Sequence, residues 1–264
     1  MMNDFRFALY SIKKNIQGSA ELRSSFLLNV FGMALNDIAF IFLWTFFVHS
    51  VGTVGGWTSI DIVGLLGFSA FSYGAVMSIF YGIFKLPDHV ATGAFDRFML
   101  SPKNLLFRVA TSALLPSAVG DLLFGGVCII IYAFSIHIGL NQFFILCSLT
   151  IGVCLAFLAV IIAVFSTSFL FVDANTVTNS LFNLFLGPSL FHGGAFQGAV
   201  RFIFTFIIPS LLIGGLPVEA LKNSSWPSTA LIIGYAAFLF IVSIMVFNRA
   251  VKKYESSNFM TFGN

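Results

Sequence analysis

Three polar side chains interrupt stretches that are otherwise apolar, and they are the first candidates for chemistry. Asn36 and Asp37 fall near the middle of the run from Phe26 to Val48, and Asp121 near the middle of the run from Leu106 to Ile136. An ionised Asp at the centre of a membrane helix costs about 3 kcal/mol on insertion scales, so these groups must face protein or water rather than lipid. Two uses fit. Carboxylates at such depth carry protons in antiporters, which would make the chain an ion-gradient-driven secondary multidrug exporter working through Asp37 and Asp121. Alternatively, both runs exceed the roughly 20 residues a span requires, so either Asp can sit near the cytoplasmic interface and pair structurally.

The main polar interruption, Lys85 to Asn104 (KLPDHVATGAFDRFMLSPKN), offers recognition rather than catalysis. Pro87 and Asp88 can start a short helix and Gly93 can end it. Phe95, Phe98, Met99 and Leu100 then form an apolar cluster beside Asp96 and Arg97, before Ser101 and Pro102 stop the turn. Such a knob suits docking into a partner's groove, and it equally suits a connector whose greasy side rests on the membrane.

Other chemistry finds no support. His49, His89, His137 and His192 are scattered without metal-ligand spacing, and Cys128, Cys147 and Cys154 form no CxxC pair and read as small core residues. There is no GxxxxGK[ST] phosphate loop, not even a Gly-Lys dipeptide, and no Gly-x-Ser-x-Gly elbow. No metal, cofactor or catalytic residue is nominated.

The elements that must position these residues follow from composition. Of 264 residues, 58% are hydrophobic and 9% charged, with mean hydropathy +0.99, against about 25% charged in ordinary soluble domains. This is an all-α integral membrane protein, expected as one transmembrane domain over residues 1–264, because no polar stretch is long enough for a separate soluble enzyme. The first apolar run is too long for a leader peptide. Ahead of it, residues 1–25 carry Phe5, Leu9, Ile12 and Ile16 at helical spacing among basic residues, the pattern of an interfacial helix.

Seven apolar runs are candidates for spans. The sixth, Phe202 to Val218, contains Pro209, Gly214, Gly215 and Pro217, and reads as part of a re-entrant hairpin over residues 199–221, following Arg201. Six crossings with both ends in the cytoplasm put eleven of the thirteen basic residues inside and leave only Arg201 and Lys222 outside, as the positive-inside rule favours. That bias accounts for the net charge of +3, so nucleic-acid binding is not suggested. Along the second span, Ala70, Gly74, Ser78 and Gly82 recur every four residues, a ladder for close helix approach either within the chain or between subunits.

Several of these stretches together resemble the small six-span permeases of type-2 ABC exporters. Gly93-Ala-Phe-Asp-Arg-Phe-Met-Leu-Ser-Pro102 is similar to the GxxDxxLLxP loop of that family. Val54-Gly55-Gly56-Trp57, Val119-Gly120-Asp121-Leu122-Leu123, and Arg201 through Pro209 with Leu216-Pro217-Val218-Glu219-Ala220-Leu221 fall in the family's order. The chain departs from the pattern at Gly187-Pro188, where many members have Tyr-Pro, and at Ser101, commonly basic in the family.

The resemblance implies half of a translocation pathway, not an enzyme. The chain would pair with a second copy or with an unlike permease in the cytoplasmic membrane of a prokaryote. Two separate ATP-binding subunits would hold ATP and Mg and dock on residues 85–104 as a coupling loop.

Overall fold

The computed structural model describes residues 4–21, 23–51, 56–191 and 193–254, which form twelve α-helices, a few single turns of other helix types and no strand. Helix α1 (Asp4–Glu21) precedes α2 (Arg23–Val51) and α3 (Ser59–Phe80). Three short helices follow, α4 (Leu86–Ala91), α5 (Asp96–Met99) and α6 (Leu105–Ala110), and then α7 (Ala118–Ser135), α8 (Leu140–Ser166) and α9 (Ala174–Ser189). The chain ends with α10 (Gly198–Phe202), α11 (Gly215–Lys222) and α12 (Trp226–Val251).

Among the described residues, five stretches are long and apolar enough to cross a membrane: Ser24–Trp44, Ser59–Ala91, Ala118–Ser135, Leu140–Phe169 and Trp226–Val251. Helix α9, with 16 residues, is shorter, about 24 Å at 1.5 Å per residue, and runs between the same two ends of the bundle. Hydrogen bonds between element ends show the alternation. Asn175 at the start of α9 bonds Asp88 in the loop after α3, Tyr254 beyond α12 bonds Asp96 in that loop, and at the opposite end Trp226 bonds Asn141.

Local sequence explains where the rods stop. Asn104 accepts from the Phe107 N–H to start α6, Asp173 from Thr176 to start α9, and Ser225 from Ser228 to start α12. The run Leu106 to Ile136 is not one span, contrary to the reading from hydropathy. It breaks over residues 111–117, where Pro116 cannot continue a helix, and the freed Thr111 carbonyl accepts from Ser11 Oγ at 2.6 Å and Asn15 Nδ2 at 2.9 Å on α1. Docked through Ser11 and Asn15, α1 leaves Leu9 and Ile16 exposed, the face an interfacial helix lays on lipid.

The small-residue ladder packs inside the chain. A Cβ on Gly74 would overlap the backbone of Leu122 and Ala118, one on Gly125 would overlap Phe71 backbone, and one on Gly82 would overlap the Val109 carbonyl. The α3–α7 contact that Gly74 and Gly125 permit is the most extensive between two helices, followed by α8–α12, while Gly82 lets the turn after α3 pack on α6. Ser78 bonds back to the Ala75 carbonyl, while Ala70 borders a cavity that Asp121 and Phe124 of α7 also line. Of the cysteines, Cys128 is buried but Cys147 is exposed.

The segment after α9 is broken at depth, as its prolines and glycines predict. From α10 the chain passes through one π turn, Ile203–Ile207, breaks at Ile208 and Pro209, and returns through a 3-10 turn and α11. Pro209 shares a cavity wall with Leu239 and Ser243, at or just beyond the midpoint of α12, so the hairpin dips about half-way through the bundle. Tyr235 on α12 donates to the Phe206 carbonyl at 2.6 Å, giving a partner to backbone that the irregular turn frees.

Because the obstacle at Gly74 is backbone, Gly74→Val should cost more than the about 1–3 kcal/mol of ordinary overpacking. Gly139→Ala, where nothing lies within 4 Å, should change little. Thermal unfolding in detergent tests the pair, and a Gly74→Val midpoint equal to wild type would refute the seam's importance.

Candidate functional site

The loop between α3 and α7 divides its residues into anchors and a free face. Gly93 takes a φ of 70°, which lets the chain reverse between α4 and α5. Phe95 is fully buried, with ring centroids 4.9 Å from both Phe169 and Tyr254, and Phe98 is buried beside it. Asp96 accepts the Tyr254 hydroxyl at 2.9 Å, and Asp88 accepts from Asn175 at 3.1 Å. Arg108 donates to the carbonyls of Phe98 and Arg97. Pro87 is buried as well.

Phe95, Phe98 and Pro87 therefore cannot present the docking surface that the sequence groups with Met99 and Leu100. The residues that face outward are Asp88, Arg97, Met99, Leu100 and Pro102, with Leu100 87% and Met99 51% exposed. The apolar cluster has split by role: two rings fasten the loop to the ends of α8 and α12, and two aliphatic side chains stand clear of it.

The interior acids meet. Asp37 and Asp121 come to one cavity across the α2–α7 contact, where α2 approaches closely enough that a Cβ on Gly120 would overlap the Val30 carbonyl. Asp121 lies in the first turn of α7, towards the loop-bearing end, because of the chain break ahead of it. Both acids, with Asn36, border a cavity of about 320 Å³ between α2, α3, α7 and α9.

At the far end, two ion pairs hold the re-entrant hairpin. Lys222 donates to Asp61 at 2.8 Å and to the Gly56 carbonyl at 3.0 Å, and Arg201 pairs with Glu219 at 2.6 Å. Asp61, only 2% exposed, also accepts from the Thr58 N–H, the Thr58 hydroxyl and Tyr132. These were not singled out in the sequence, though Thr58-x-x-Asp61 has the capping-box spacing. Both basic residues that the charge bias leaves on this end find acidic partners there. Pro209, Gly214, Gly215 and Pro217 shape the hairpin itself, and a Cβ on Gly214 would come within 2.8 Å of Ser69 Oγ and 2.9 Å of the Ser189 carbonyl.

An all-α, multi-pass bundle with a fastened loop at one end and a broken re-entrant hairpin at the other defines a membrane transport subunit. Residues 34–258 match the model of the ABC-2 family transporter protein, and the chain belongs to that family, as a type-2 ABC permease subunit. No curated protein and no solved structure matches the chain.

Lys222→Met should destabilise the fold by about 1–3 kcal/mol, the cost of leaving a buried acceptor short of a partner. Asp61→Asn combined with Lys222→Met should lose less than the lysine change alone. Thermal unfolding of the three variants measures this, and additive losses would exclude coupling between the two residues.

Proposed function

We propose that this chain is the membrane-spanning half of an ATP-driven exporter, acting as a dimer with a second copy or with an unlike permease. Two separate ATP-binding subunits would dock on residues 85–104 and hold ATP and Mg, which this chain does not bind. The observation that carries the reading is the free face of the loop. Leu100 and Met99 project from a segment tied by Phe95, Asp96 and Asp88 to the ends of α8, α12 and α9, so a partner seated on that face is mechanically joined to three long helices.

Charge supports the orientation. Most basic residues lie on α1, on the 85–108 segment and at the end of α12, all at the loop-bearing end, which the positive-inside rule assigns to the cytoplasm of a prokaryotic cell. ATP binding and release would then move the loop and change access to the pathway from either side. An ion-gradient carrier is not favoured, since membership of an ABC transporter family implies ATP-binding partners.

Met99→Asp with Leu100→Asp should leave expression and the unfolding midpoint unchanged and remove the ATP-binding subunit from gently purified complexes. Phe95→Ala should instead lower the midpoint, with a core-cavity cost of about 3–5 kcal/mol. A native-membrane purification that recovers the wild-type chain without any ATP-binding protein, or an unaffected double Asp variant, would overturn the docking role.

A further inference from the structure

Helix α1 carries three basic residues that neither the docking loop nor the hairpin uses. Arg6, Lys13 and Lys14 are exposed and take part in no salt bridge among the described residues. The acids of α1, Asp4 and Glu21, are its first and last residues. Neither lies three or four residues from any of the three cations, the spacing at which helical side chains meet.

Their placement around the helix separates them. Each residue of an α-helix turns about 100° around the axis. Ala8, Ser11 and Asn15 fall within about 60° of one another and face the chain, Ala8 buried and the other two bonded to the Thr111 carbonyl. Leu9 and Ile16, 51% and 50% exposed, form an apolar strip about 140–160° round from Ser11. Lys13 and Arg6 follow at about 200–220°, along the border of that strip. Lys14 lies about 300° round, nearly opposite the strip, with its ammonium 5.8 Å from the Tyr10 ring centroid. A face that only meets water would carry its charges where Lys14 is. Arg6 and Lys13 instead adjoin the side that hydrocarbon tails receive, which is the level of lipid headgroups, and long basic side chains reach that level by laying their stems on apolar surface.

We propose that α1 binds anionic phospholipid of the leaflet at the loop-bearing end, Arg6 and Lys13 meeting headgroup phosphates and Leu9 and Ile16 meeting the tails. A zwitterionic lipid offers the same tails without the net charge that two unpaired cations complement. The helix also braces its neighbours. Lys103, near the end of the 85–104 loop, sits 4.9 Å from the Phe7 ring centroid, and Ser11 and Asn15 hold the carbonyl of residue 111, where α6 has ended. Lipid held by α1 therefore favours the folded arrangement of this end of the chain. The assignment does not depend on the exporter reading.

The test is native mass spectrometry of the full chain, released from neutral detergent micelles titrated with phosphatidylglycerol or with phosphatidylcholine of the same tails. Wild type should hold its first phosphatidylglycerol at least about tenfold more tightly than phosphatidylcholine, since each basic residue near an anionic surface is worth about fivefold. Arg6→Gln with Lys13→Gln should weaken phosphatidylglycerol by about ten- to thirtyfold and leave phosphatidylcholine within about threefold. Lys14→Gln should stay within about threefold for both lipids. Glycerol phosphate, the headgroup without tails, should not displace the lipid at equal concentration. Phosphatidylglycerol should also raise the unfolding temperature of wild type more than phosphatidylcholine does, and the double change should remove that difference.

Equal affinity for the two lipids in wild type would overturn the proposal, and this comparison needs no variant to fold. A double variant that unfolds at the wild-type temperature in neutral lipid and keeps the wild-type preference would overturn it too. Equal losses from Lys14→Gln and from the double change would show an effect of net charge alone and overturn the placement at Arg6 and Lys13. Displacement by glycerol phosphate would overturn the lipid as the source of the phosphate. Loss of an ATP-binding subunit from the double variant, with the lipid preference intact, would give these cations to that partner and remove the lipid site.

Discussion

The contact between α3 and α7 sets the spacing on which the rest of the bundle depends. In lipid no hydrophobic force drives one helix onto another, so close packing must come from small residues that let backbones touch. Gly74 and Gly125 supply that on opposite faces of the seam. Because α7 begins opposite Gly74, the chain leaving α3 must double back over a short distance, and it does so through three short helices rather than an open loop. The same register carries Asp121 to the depth of Asp37, and at the other end places Tyr132 against Gly64 and within reach of Asp61.

Charge is distributed with a matching economy. At the hairpin end both basic residues are held by acids, so the end as a whole is close to neutral and its helix fragments are tied together. At the loop end the basic residues mostly remain exposed, on the side where they hold orientation. The acids Asp37 and Asp121 are the exception, set among largely apolar walls and in no salt bridge among the described residues.

How much of this was legible in sequence depends on the range of the interaction. The all-helical class, the broken hairpin at Pro209 and Gly214, and the mixed loop ending at Pro102 are local signals and appear where they should. The division of labour among Phe95, Phe98, Met99 and Leu100 is not local, since it is decided by Tyr254 and Phe169, which arrive from segments far along the chain. Hydropathy joined residues 106–136 into one span because it counts apolar side chains and not the polar groups on α1 that satisfy a broken backbone at Thr111. The Asp37–Asp121 contact similarly needed the α3–α7 seam before either residue could be placed.

The tie of Tyr254 to Asp96 and Phe95 has a mechanical consequence. Helices α8 and α12 share a broad contact and both end at this aromatic joint, so they form the stiff member of the bundle and take up any load applied at Leu100. Helix α2 shares less surface with its neighbours and little of its apolar window is covered, which makes it the compliant wall. On the exporter reading proposed above, strain entering at the loop would relax chiefly by parting α2 from α3 and α7, the helices that wall the chamber bordered by Asp37 and Asp121.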